Sequence, residues 1–195
     1  MMKTPSCFRW RSCIAATIAL LAVSCGRSPD ATTNTSPDVA GAVTRYLAET
    51  VAKDYADGWD HCIPVPRIVA VDASDPSDIR VWGDFMVHNY RLEGDTLHFV
   101  SGGTHPGLMH LRETDGALAV FAFDQVQDGS EYRKSGLVIF GEHFNAWQKL
   151  ASDDVASAQG RLRAVAEYVL SRGLPAKFVK DYGWEPVAIP SSTGR

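Results

Sequence analysis

The sequence predicts an α+β domain: an antiparallel meander of about four or five strands, with one helix before it and two after it. Three observations carry that reading. From Arg80 to Asp128, apolar and polar residues alternate with the period of two that strands require. Two hairpin turns fall inside this stretch: Asp115-Gly116 suits a type I′ turn, and Gly94-Asp95 suits a two-residue turn between Leu92 and Leu97. Stripes of helical period flank the stretch on both sides.

Taken in order, the elements begin at Ser36-Pro37, which opens a helix with serine at N-cap and proline at N1. Val39, Val43, Tyr46, Leu47, Val51 and Tyr55 continue it at helical spacing, and Gly58 is placed to end it. Pro64 to Asp72 reads as a short strand entered through prolines. Asp72, Asp75 and Asp78 follow in a loop that lacks the glycine and terminal glutamate of a calcium loop, so a solvated turn is expected. In the meander, a Gly94-Asp95 tip sets Leu92 opposite Leu97, Tyr90 opposite Phe99 and His88 opposite Ser101. The Asp115-Gly116 tip sets Leu111 opposite Val120, His110 opposite Phe121 and Leu108 opposite Phe123.

After Gly129-Ser130, Leu137, Phe140, Phe144, Trp147 and Ala151 predict one helix with Ser135 near its N-cap. Ala158, Leu162, Val165, Ala166 and Val169 predict a last helix over Asp154 to Arg172, with Gly173 at C′. The tail from Leu174 to Ile189 is expected to fold back as an irregular apolar cover. In element order the domain resembles the cystatin-like and nuclear-transport-factor-like cones, although trailing helices depart from both patterns.

The N-terminal end is a separate object. Lys3, Arg9 and Arg11 precede a 12-residue apolar run, Ser12 to Val23, too short to span a bilayer but suited to an export signal. Leu21-Ala22-Val23-Ser24-Cys25 resembles the lipobox of bacterial lipoprotein signal peptides, with Ala22 where leucine is usual. The resemblance implies cleavage before Cys25 and lipidation of its sulfur; Gly26 in the next position implies sorting to an outer membrane, if the cell has one. The organisation is then a signal peptide over residues 1–24, a polar tether over 25–36 and one domain over 37–190.

Loss of the signal removes three of 19 basic residues and none of 23 acidic ones, leaving a net charge of −7. An acidic domain without a basic cluster argues against nucleic acid and against electrostatic binding to anionic lipid, so membrane attachment falls to the acyl chains. Cys62 is the one cysteine left over. Beside His61 it invites a nucleophile reading, and a small buried hydrophobe is the expectation. The words Val-Trp-Gly-Asp-Phe (81–85), Ser-Gly-Gly-Thr-His-Pro-Gly (101–107), Phe-Asp-Gln-Val-Gln-Asp-Gly (123–129) and Asp-Tyr-Gly-Trp-Glu-Pro (181–186) are similar to those of a group of small exported bacterial proteins of unknown function, a resemblance that brings no activity with it.

Alternation places Trp82, Asp84, Met86, His88 and Tyr90 on one face of the sheet and Val81, Phe85, Val87 and Val100 on the other. The second is a plain core face. The first mixes aromatics with an acid and an imidazole, so it is either a second core face or the lining of a pocket. Asp84 and His88 are four residues apart, about 13 Å along a straight strand, and cannot share one proton or one metal. A Ser101–His88 pair lacks the third group of a serine nucleophile. His88, His105 and His110 form a conceivable metal set, but helical His-Glu-x-x-His and paired cysteines are absent, and histidines bonded in turns are the expectation. Ser101-Gly-Gly-Thr104 reads as a bulge or sharp turn.

The expectation is therefore a lipid-anchored domain of the cell envelope that faces outside the cytoplasm. It binds an unidentified small molecule or envelope protein through Trp82, Asp84, His88, Tyr90 and His105, with no cofactor and no metal. The rival reading is a small hydrolase or isomerase with Asp84 or His88 as general base. A structural envelope component is the third.

Overall fold

In the computed structural model, residues 38–191 apart from Ala56 are described, so Cys25, the signal and the Ser36-Pro37 cap lie outside the described residues. The described residues form one compact unit. Four long strands make the predicted meander: β1 (His61–Asp72), β2 (Ile79–Glu93), β3 (Thr96–Thr114) and β4 (Ala117–Gln125), each antiparallel to its neighbour. Both turns form as their residues demand. Asp115 and Gly116 both take positive φ (53° and 80°), as type I′ requires, whereas at the other tip Gly94 alone does so (62°), as type II′ requires.

Pairing follows the predicted register next to each tip and then slips. Leu92 faces Leu97, Tyr90 faces Phe99, and Leu111 faces Val120. Beyond these pairs Val100 and Phe121 are extra residues, each a bulge that shifts every later partner by one. His88 therefore faces Gly102 and not Ser101, His110 faces Ala122 and not Phe121, and Phe123 faces Met109 and not Leu108.

α1 (Val39–Glu49) is capped by Asp38, whose Oδ1 accepts from the Gly41 N–H at 2.8 Å. It stops at Thr50, short of Gly58, where two β-branched residues in succession disfavour the helix; a 3₁₀ turn over Val51–Asp54 carries the apolar stripe on. Ala42, Val43, Leu47, Val51 and Ala52 bury against Val81, Phe85, Val87, Met109 and Leu111 on the plain face of the sheet.

Three helices, not two, cover the other face. α2 (Tyr132–Phe140) and α3 (Phe144–Ala151) divide the span predicted as one helix, because Gly141 sits at φ 50°, ψ −120°, a conformation that turns the chain and that L-residues avoid. The corner lets Phe140 stack on Trp147 with centroids 4.4 Å apart, and both pack with Phe144 against Trp82. α4 (Asp154–Arg172) runs over its predicted span, capped by Asp153 and closed by Gly173. Its Val165 packs with Ile63, Tyr90, Leu97 and Val179.

The tail is more regular than expected. Asp95 C=O accepts the Lys177 and Phe178 N–H groups at 2.7 and 3.2 Å, which docks β5 (Phe178–Lys180) parallel to Thr96–His98 of β3. β6 (Val187–Ala188) returns antiparallel to β5, completing a mixed six-stranded sheet.

Candidate functional site

Four of the five predicted contact residues stand together on one face, and that face is covered by α2, α3 and α4. Trp82 donates its indole N–H to Ile139 C=O at 2.9 Å and packs its ring against His143, with centroids 4.7 Å apart. Asp84 is only 2% exposed, and its Oδ2 accepts from Arg67 Nη1 at 3.0 Å. Arg67 also donates to Ser157 Oγ at 3.3 Å and to Leu150 C=O, so one guanidinium ties β1 to β2, α3 and α4. Burial raises the Asp84 pKa, against the lowering pull of Arg67 and then Trp147. The Trp147 N–H lies near this carboxylate, yet neither it nor Asp84 Oδ1 closes a hydrogen bond.

His88 is 7% exposed and its Nε2 has no partner among the described residues. Burial, and then the Arg161 charge, push its pKa down to about 4, partly offset by Asp181. It is a neutral imidazole in a core. Tyr90 is fully buried, and burial raises its phenol to about 12; its hydroxyl accepts from Arg161 Nε at 2.6 Å.

His105 does not belong with these four. It pairs with Phe85, which places it on the α1 face, where its Nε2 bonds the Tyr55 hydroxyl at 2.7 Å and its Nδ1 meets Gln125 Oε1 at 3.2 Å. His110 bonds Asp78 at 2.7 Å. Among the described residues no group of three or more His, Cys, Asp or Glu is arranged to hold a metal ion. Ser101 Oγ accepts from the Asn89 amide at 3.2 Å and not from His88. Burial pushes the Cys62 thiol up to about 11, so it is no ready nucleophile. In the aspartate loop, hydrogen bonds from Ser74, then Arg80, hold Asp72 down at about 2, which is a local turn at work.

A more accessible site lies just outside the buried face. Between α4 and the turn that joins β5 to β6 is a cleft of about 480 Å³, walled by Ala158, Leu162, Val179, Trp184, Pro186 and Val187. At its floor Arg161 grips Asp181 through both terminal nitrogens, one at 2.8 Å and the other at 2.5 Å, while its Nε holds Tyr90. The guanidinium also lies over the rings of Tyr90 and Phe99, 5.4 and 5.1 Å from their centroids. Its charge is paired and stacked, so it orders the floor without leaving an open cation. Trp184 is 75% exposed at the rim.

Sequence reasoning placed Trp184 in a cover and gave no role to Arg161 or Asp181. The usable signal was an arginine within the apolar stripe of α4, four residues after Ser157, which calls for a buried acid. A second, more polar recess borders Trp82, between the end of β1 and the α2–α3 corner. Among the described residues no helix is long and apolar enough to cross a membrane. Set against known proteins, the chain matches no family model, no curated protein and no solved structure.

Proposed function

We propose that this chain is a binding domain, held at a cell envelope by a lipid on Cys25, whose α4–β6 cleft takes a small apolar molecule. One observation carries the binding reading: an apolar-walled cleft with a pre-paired ionic floor and a largely exposed tryptophan at its rim. Catalysis finds less support. Asp84 is committed to Arg67, His88 is neutral and enclosed, and neither faces the cleft as a general base would. The envelope reading rests on the lipobox-like Leu21 to Cys25 and on the polar tether that follows it.

Two experiments separate the two parts. The fluorescent probe 1-anilinonaphthalene-8-sulfonate should bind the wild type at a single site, and Trp184→Ala or Val187→Glu should weaken it about tenfold without moving the melting temperature. Equal binding by wild type and both variants would remove the cleft from consideration. For the anchor, Cys25→Ala should release the protein from the membrane fraction; a native N-terminus that is unmodified and is not Cys25 would end that reading.

A further inference from the structure

We infer that the outward edge of β3 at Gly102 and Thr104 is a docking slot for one extended peptide segment of a partner protein, bound by strand addition. The observation is a gap in the sheet. On the side of β3 away from β2, β5 covers Thr96 to His98, and β4 takes over at Pro106, whose C=O accepts the Val126 N–H at 2.9 Å. From residue 99 to residue 105 no strand among the described residues lies on that side. Seven residues of strand span roughly 20 Å.

The direction of the backbone groups follows from the same bond. Pro106 turns its carbonyl toward β4, so alternation turns Thr104 and Gly102 the same way and gives Gly103 and His105 to β2. Thr104 is exposed. The strip is also braced: the Tyr55 hydroxyl sits over Gly103 and bonds His105, and Asn89 bonds Ser101.

Two outer edges of this sheet, those of β1 and β6, are closed to pairing by one device. Pro64 and Pro66 lie in the β1–β2 ladder, and having no N–H to give β2 they occupy outward positions of edge strand β1. On β6, the Ile189 N–H donates inward to Lys177 at 2.8 Å, so Pro186, Ala188 and Pro190 face outward. Proline removes the donor at two positions on each of these two edges. In the gap, glycine and threonine keep theirs.

The shape selects the occupant. Strands in line at both ends of the gap, β5 and β4, would collide with the sheet edge of a second folded copy, whereas a lone segment of about five or six residues lies between them. Such a segment would exchange backbone hydrogen bonds with Gly102 and Thr104.

The test selects a display library of random peptides, about seven residues long, on the full chain. The Gly102 and Thr104 amides should exchange freely in the free protein and become protected with an enriched peptide. Thr104→Pro, which repeats what Pro106 does two residues on, should weaken that peptide about tenfold. N-methylation of the peptide should abolish binding at alternate residues and spare those between. Amides already protected in the free chain would overturn the proposal, as would a library that yields no binder or binding unchanged by Thr104→Pro. Should that variant fail to fold, the methylation scan decides alone, and the absence of a period of two refutes the slot.

Discussion

His88 shows what a single residue costs and reports in this fold. An imidazole with an unpartnered nitrogen in a core is kept neutral, and its pKa falls from 6.5 to about 4. The unfolded chain takes up a proton near pH 6.5, and the folded chain does not until about pH 4. Stability must therefore fall as pH drops through that window, by on the order of 3 kcal/mol at its lower end, and His88 adds nothing further below it. Asp84 works with the opposite sign: its folded pKa is raised, so acidification through that value relieves the fold. His88→Phe isolates the first effect. Denaturant titrations at pH 7 and pH 4.5 should show the wild type losing more stability than the variant between the two; equal losses would place the histidine in contact with water.

At the scale of elements, what was legible in the residues was whatever local chemistry decides. Turn pairs with the right φ preferences located both hairpin tips, and the apolar stripe from Asp154 with Gly173 after it bounded α4. Sheet faces followed from alternation, so Trp82, Asp84, His88 and Tyr90 do share one side. Three features escaped because they depend on distant partners. The bulge at Phe121 carries no local mark, and the one at Val100, one residue before the Ser101-Gly-Gly-Thr104 stretch that reads as a bulge, has a position only the pairing fixes; it separates His88 from Ser101. The β5 strand exists because Asp95 accepts from Lys177 and Phe178, far along the chain. The cleft floor needs Arg161, Asp181 and Tyr90 from three elements. One element boundary is open to a direct test. Gly141→Ala forces a Cβ into the positive-φ corner between α2 and α3 and should destabilise by roughly 1–3 kcal/mol. A melting temperature unchanged by this substitution would mean that the corner is not built as described.

Over the whole molecule, both faces of one sheet are occupied. α1 covers the aliphatic face, and α2, α3 and α4 cover the face that mixes aromatics with Asp84 and His88. Covering the mixed face turns a candidate pocket into a polar layer in a core and moves accessible binding surface outward, to the cleft between α4 and the β5–β6 turn. Two exposed large hydrophobic side chains, Trp184 and Val187, line it. Asp38, the first described residue, lies beside the β3–β4 tip, whereas the cleft stands by β5, at the opposite end of β3.

The central claim is that ligands meet the cleft and not the sheet face beneath it. Indole N–H resonances report on both at once, since Trp184 stands at the cleft rim while Trp82 and Trp147 lie within the covered face. In a titration with 1-anilinonaphthalene-8-sulfonate followed by NMR, the Trp184 indole should shift in a saturable way while those of Trp82 and Trp147 stay in place. Movement of Trp82 or Trp147 with Trp184 unchanged would contradict the account, and would return the binding site to the face around Asp84 and His88.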